Sequence, residues 1–169
     1  MKRMHGGAVL NENTARNTGM NKRSKEFMTE KNKIAKYVVE HVIEENMVIT
    51  LDSGTTTMEV AKEILKSNIP CTIITNSFSV ASILQDSENI KLILIGGTYD
   101  FKHQSFHDEI ADTICKNYRS EICFISPNGI SKEGIITNAG TSENSIKKRM
   151  MKQSSKTVLL LNVISCLTQ

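Results

Sequence analysis

The chain of 169 residues is 39% apolar and carries 21 basic against 18 acidic side chains, a net charge of +3. That length holds one core-forming domain with an appendage, and the longest apolar runs, such as 92–95 and 158–161, are far too short to span a bilayer. The charge divides unevenly: residues 1–33 are net +5 and residues 34–169 net −2, so the main body is not a basic nucleic-acid binder and the positive charge sits on an N-terminal arm.

The opening residues, MKRMHGGAVL, lack the apolar stretch of a signal peptide, so the expected location is the cytoplasm. Residues 1–21 have no apolar period, and their Gly and Asn content predicts an irregular segment. The expected division is a basic linker over 1–24 and one α/β domain over 25–169. A helical period runs from Ser24 to Asn46, with Phe27, Ile34, Tyr37, Val38, Val42 and Ile43 mostly on one face and a break near Glu30.

Beyond Asn46 the pattern alternates. Residues 47–51 predict a strand, and 58–66 a helix with Met58, Ala61, Ile64 and Leu65 inward. Pro70 stops anything helical, and 71–74 is a β-branched strand. Ser77 or Ser79 caps a helix to about Gln85, with Val80, Ile83 and Leu84 inward. A strand over 90–95 ends in Gly96-Gly97, and 98–106 reads as a polar loop. Helix 109–118, strand 122–125, a loop rich in Asn and Gly, helix 141–153 and strand 157–161 complete the chain.

Solidly apolar strands separated by helices belong in a parallel sheet covered on both faces, which gives a doubly wound α/β fold. Ligands of such sheets bind at the carboxyl ends of the strands. Four strands here end in small hydrogen-bonding residues: Asp52-Ser53-Gly54-Thr55-Thr56-Thr57, Thr75-Asn76-Ser77, Gly96-Gly97-Thr98, and Ser126-Pro127-Asn128-Gly129. Gly54 lets the backbone turn tightly and approach a ligand. Successive N–H groups then form a concave nest ahead of a helix N-terminus, which favours an anion. Asp52 repels phosphate and is expected to orient the loop or to bind sugar hydroxyls. Glu143, in the first turn of its helix, is placed beside the site, where its charge also suits the helix dipole.

Other chemistries find less support. The loop D-x-G-T-T is similar to the phosphate loop of actin-like kinases, but there it joins two strands, whereas MEVAKEILKS is helical. The phosphate-loop motif G-x-x-x-x-G-K-[ST] is absent, and so is G-x-G-x-x-G, so no nicotinamide or flavin cofactor is expected. His103 and His107 have i, i+4 spacing, but they fall in a loop with no third ligand evident, so no metal is expected. Cys71, Cys115, Cys123 and Cys166 form no C-x-x-C pair and read as buried reduced thiols. No nucleophile–base constellation stands out, and no catalytic residue is assigned.

Taken in order, "IAKYVVEHVIEENMVITLDSGTTTMEVAKEI", "TIITNS", "LILIGG", "CFISPNGI" and "EGIITN" resemble the effector-binding domain of DeoR-type bacterial transcriptional regulators over about 33–165. "RMHGGAVL" is similar to the segment that follows the family's winged helix-turn-helix. The resemblance implies a fold like that of ribose-5-phosphate isomerase, glucosamine-6-phosphate deaminase and the CoA transferases. It also implies a repressor of sugar metabolism whose effector is a phosphorylated sugar. Ser53, Gly54, Thr55 and Thr56 would hold the phosphate, and Thr75, Asn76, Ser77, Gly96 and Gly97 would line the pocket. A homo-oligomer, dimer or tetramer, is implied, with operator DNA contacted only through a winged helix that this sequence does not contain.

Some positions depart from the family pattern. Glu121 stands for an Asp, Ser126 for a Gly, and Asn162 and Ser165 for the Asp and Lys of a closing D-x-S-K-F motif. The last change removes a natural phosphate partner. Two alternatives remain: an isomerase- or deaminase-like enzyme on the same fold, and a degenerate fragment that only oligomerises. A Gly54→Glu change is expected to abolish phosphate binding while leaving the fold largely intact.

Overall fold

The computed structural model describes residues 2–4, 7–9, 19–131, 134–138 and 141–161. Asn162, Ser165 and Cys166 lie outside the described residues, as does the stretch 10–18 of the expected irregular segment.

The N-terminal segment is more regular than its composition suggests. Strands β1 (Lys2–Met4) and β2 (Gly7–Val9) pair antiparallel, and helix α1 spans Met20–Lys25. The boundary expected at 24/25 falls inside α1, whose Met20 is only 2% exposed. The next helix, α2 (Met28–His41), starts after Phe27, which takes a left-handed conformation with φ 55°. The helical break is therefore at Phe27 and not near Glu30. Ala35, Val38 and Val39 are buried along α2, while Tyr37, expected inward, is 61% exposed and stacks on His41.

Five strands make one sheet: β3 (Val48–Leu51), β4 (Cys71–Thr75), β5 (Ile90–Leu94), β8 (Ser120–Ile125) and β11 (Ser154–Leu159). The order across it is β11-β8-β3-β4-β5, and every neighbouring pair is parallel. Helices α3 (Thr55–Ser67) and α4 (Phe78–Leu84) carry the chain from β3 to β4 to β5. The chain then returns to the other side of β3 for β8, through α5 (Glu109–Cys115), and reaches β11 through α6 (Thr141–Lys152). This is the doubly wound arrangement, and its switch point lies between β3 and β8.

Strand periodicity separates two cores. Ile49, Leu51, Ile73, Ile122 and Phe124 pack with Val38, Val60, Ile64 and Leu84 on the face covered by α2, α3 and α4. Ile74, Cys123 and Ile125 pack with Ala111, Cys115, Ile146 and Met150 on the face covered by α5 and α6. Each fully buried Ile or Leu contributes roughly 1.5–3 kcal/mol by leaving water. The sheet is thus held from both sides, which explains why the central strands read as apolar and β-branched with little polar alternation.

Several elements differ from expectation. α3 begins at Thr55 instead of Met58, so its first turn is the Thr triplet itself; Val60, Ala61 and Ile64 face inward and Leu65 is 38% exposed. β11 begins at Ser154, three residues before the expected start at Thr157. The loop 98–106 contains a short antiparallel hairpin of β6 (Tyr99–Asp100) and β7 (Ser105–Phe106). A second hairpin, β9 (Gly129–Ile130) with β10 (Ile136–Thr137), follows β8. Strands of two residues are too short for a period-2 signal to register.

Candidate functional site

Asp52 leaves the end of β3 at the switch point and is 0% exposed. Its Oδ1 accepts from Gly54 N (2.9 Å) and lies 3.0 Å from Thr57 Oγ1. Its Oδ2 accepts from Ser126 N at the end of β8 (2.9 Å) and pairs with Lys147 Nζ (3.0 Å). Both carboxylate oxygens are therefore engaged from within the protein. Asp52 fastens the turn that follows β3 and ties the ends of β3 and β8 together.

Gly54 is where the chain crosses Ser126. A Cβ built on Gly54 would lie 2.2 Å from Ser126 Cβ and 2.7 Å from Ser126 Oγ. Its φ of −83° is open to any residue, so the requirement is space, not conformation. This corrects the expectation that Gly54→Glu would spare the fold: any side chain there displaces the end of β8.

Gly54 is the N-cap of α3, and no side chain caps the helix. Its first helical hydrogen bond runs from Met58 N to Gly54 O (3.2 Å), so the N–H groups of Thr55, Thr56 and Thr57 precede the ladder. Ser53 and Thr56 are buried, and Thr55 is partly exposed at the mouth. The result is a helix N-terminus behind a buried, internally neutralised carboxylate.

The second strand end divides into supporting and open groups. Thr75 Oγ1 accepts from Ser77 N (3.0 Å), and Ser77 Oγ accepts from Val80 N (3.2 Å) as the α4 cap. Both hydroxyls therefore serve the turn. Asn76, 1% exposed, donates from Nδ2 to Phe106 O (2.8 Å), and its Oδ1 is buried with no partner. Phe106 N donates back to Asn76 O (3.0 Å), and Ser77 bridges to Ser105. The β6–β7 hairpin is thus fastened along the end of β4. Ser105 Oγ, on that hairpin, is a second buried atom without a partner. A buried polar atom left unpaired costs about 1–3 kcal/mol, so such atoms mark places where a ligand gains.

The other predicted residues scatter more. Gly96 has open space where a side chain would be, whereas Gly97 (φ +140°) lies against Asp108. Asp108 takes Thr98 N (2.7 Å) and caps α5 through Ala111 N (2.9 Å), so Gly97 serves that junction. Those hydrogen bonds, with Ala111 first, hold the Asp108 carboxyl down to about 2. Gly129 lies in β9 opposite Thr137. Asn128 N donates to Thr137 O (3.1 Å), and Asn128 Oδ1 is 3.4 Å from Arg23 Nη1. Glu143 is 6% exposed in the first turn of α6, with Oε2 3.9 Å from His103 Nε2. A groove of about 560 Å³ between α5 and α6 includes His107 and Ser145 but none of the strand-end residues above.

Sequence reasoning missed Lys147. It is 6% exposed, and its ammonium lies 3.0 Å from Asp52 Oδ2, 3.1 Å from Ser126 O and 3.2 Å from Asn138 Oδ1. A signal was available: Ile146 and Met150 share the inward face of α6, and Glu143 and Lys147, one turn apart, flank it. Arg23 was also missed, because the arm was read as linker. Asp100 was missed as the shared partner of both hairpin histidines: its Oδ2 is 2.9 Å from His103 Nδ1 and 3.0 Å from His107 Nε2. Among the described residues no helix is long and apolar enough to cross a membrane.

Solved structures similar to this chain include ribose 5-phosphate isomerase A from Methanocaldococcus jannaschii, at 18% identity and TM-score 0.59, covering 83% of this chain and 55% of that one. The eIF2B delta structure from Chaetomium thermophilum is similar at 11% identity and TM-score 0.59, covering 88% and 51%. These likenesses establish the fold alone. In sequence, the chain is 31% identical to the L-fucose operon activator of Haemophilus influenzae over 96% of this chain and 64% of that protein. It is 30% identical to the HTH-type transcriptional repressor GlcR of Bacillus subtilis over 94% and 60%. The chain spans about three-fifths of the length of these relatives. It matches the DeoR C terminal sensor domain over residues 26–163 and belongs to that family.

Proposed function

We infer that this chain senses a phosphorylated sugar and passes its presence to a DNA-binding domain of a sugar-operon regulator, most simply a repressor. The observation that carries the reading is the neutralisation of Asp52. With its charge paired by Lys147 and its oxygens filled by Gly54, Thr57 and Ser126, the carboxylate no longer opposes an anion at the N-terminus of α3. The phosphate takes the N–H groups of Thr55, Thr56 and Thr57, which precede the α3 ladder. Asn76, Asn128 and Glu143 supply acceptors for sugar hydroxyls.

Sensing fits these groups better than catalysis. A general base needs a free carboxylate or imidazole within reach of the proton it removes. Asp52 is tied up by four donors. The ligand's effect is a population shift between arrangements of a cytoplasmic homo-oligomer, and operator DNA is met through a winged helix.

Thermal-shift titration with a panel of sugar phosphates tests the reading. The expected result is stabilisation by at least one of them without turnover. Thr55→Glu, which places a carboxylate at the mouth of the helix N-terminus and suits the helix itself, should abolish that stabilisation. Isomerisation or deamination of any panel member would refute sensing as the sole activity. Stabilisation that survives Thr55→Glu unchanged would refute the location.

A further inference from the structure

The β6–β7 hairpin gathers three side chains that the phosphate reading does not use. Asp100 ends β6, His103 lies in the turn and His107 follows β7. One ligand atom from each lies within 4.8 Å of the other two. Two imidazole nitrogens converge on the same oxygen, Asp100 Oδ2, at 2.9 and 3.0 Å. The side chains are 30%, 16% and 13% exposed, in the order Asp100, His103, His107, so the cluster is sheltered yet open to water. The rings meet edge to face, with centroids 5.6 Å apart.

We propose that Asp100, His103 and His107 form a binding site for a zinc-class divalent cation. Four-coordinate zinc with bonds of about 2.0–2.2 Å needs ligand atoms a little over 3 Å apart, close to the spacing between Asp100 and each imidazole. Two neutral imidazoles and one carboxylate select Zn²⁺, Co²⁺ or Ni²⁺ over Mg²⁺ or Ca²⁺, which require mainly oxygen. Without a metal, both imidazoles must point an N–H at one oxygen. A cation replaces those two protons, and its charge is balanced in part by Asp100.

The supports around the cluster suit that role. Hydrogen bonds between Asn76 and Phe106 hold the hairpin against the end of β4. Backbone N–H groups of Lys102 and His103 donate to Asp100 Oδ1, at 2.7 and 3.2 Å, which leaves Oδ2 as the metal-facing atom. His103 would bind through Nδ1, and its Nε2 lies 3.9 Å from Glu143 Oε2, beyond a hydrogen bond but near enough for the carboxylate's charge to favour a bound cation. Three protein ligands leave at least one position for water or another donor. The bound ion locks the hairpin and, through His103 and Glu143, links it to the first turn of α6. This proposal does not depend on the sugar-phosphate reading.

The test is calorimetric titration of chelator-treated protein with Zn²⁺, paired with Co²⁺ absorption spectroscopy. One equivalent should bind, Co²⁺ should give visible bands of a low-coordinate N/O site, and His103→Ala and His107→Ala should each lose binding. Absence of stoichiometric binding, or retention of wild-type affinity in both variants, overturns the proposal. X-ray absorption of the Zn²⁺-loaded wild type guards against variants that fail to fold. Imidazole scattering with no sulfur supports the site, and sulfur ligation refutes it. Sugar-phosphate titrations repeated with chelator present keep the two readings separable.

Discussion

Gly54→Ala is the smallest change that probes the switch point. The added methyl would sit 2.2 Å from Ser126 Cβ and 3.0 Å from Asp52 Oδ1. Carbon atoms in contact lie about 3.5–4.0 Å apart, so β3 and β8 must separate by more than 1 Å or the loop must shift. Overpacking of this kind costs roughly 1–3 kcal/mol, and the φ of −83° adds no backbone strain to that figure. For a domain of this size each kcal/mol lowers Tm by about 2–4 °C, so the drop should be between about 2 and 12 °C. Because the two closest contacts are with the Ser126 side chain, Ser126→Gly should relieve most of the clash. The double variant Gly54→Ala/Ser126→Gly should recover most of the loss, since Ser126 keeps its backbone N–H to Asp52 Oδ2. Urea denaturation of the four proteins gives the coupling energy. An unaffected Gly54→Ala protein, or additive effects in the double variant, would refute the argument that the two strand ends meet side chain to backbone.

Other expectations follow from neighbouring contacts. Lys147→Met strands Asp52 without its cation and should destabilise by about 3–5 kcal/mol, with Asp52→Asn/Lys147→Met recovering part of it in urea denaturation; equal losses in single and double variants would count against the pair. Burial raises the Cys71 and Cys115 thiols to about 11, and raises Cys123 further with help from Asp52. In a Cys166→Ser background the native protein should therefore react with Ellman's reagent at pH 8 only as fast as it unfolds. The Arg149 hydrogen bonds, at 2.9 and 3.2 Å, outweigh burial and lower the Asp112 carboxyl below 3.8. Its stabilisation is then full above pH 3.8 and lost as pH falls through the lowered folded value; Arg149→Met should shrink that acid-side loss in pH-resolved denaturation.

The fold was legible because the central strands are buried on both faces. The β-branched run at 71–74 and the apolar run at 122–125 already imply helices on each side. The DSGTTT turn was legible because its small residues announce a tight backbone. The partner of Asp52 was harder to see. Lys147 stands among Lys148, Arg149 and Lys152, and composition alone makes it one more surface cation; only the phase of Ile146 and Met150 turns it inward. The histidine pair of the β6–β7 hairpin was legible in its i, i+4 spacing. Its convergence on Asp100 depends on a two-residue strand pairing, which carries no periodic signal. Phe27 defeated the helix assignment for a related reason: a single left-handed residue interrupts a period without altering the hydrophobic pattern around it.

The bond between Asp52 and Ser126 spans 74 positions in the chain. Strands β3 and β4 with α3 and α4 leave the ribosome well before β8 and α6. Until the later half docks, Asp52 has neither the Ser126 N–H nor the Lys147 ammonium, and its charge at the head of α3 is balanced by no cation. Loop-closure entropy over such a distance makes this among the slower contacts to form. The turn at the N-terminus of α3, early in the sequence, is therefore one of the last parts of the domain to mature. A chain that stops short of β8 leaves the proposed phosphate site unfinished, and a refolding chain that bound phosphate ahead of β8 docking would contradict that order.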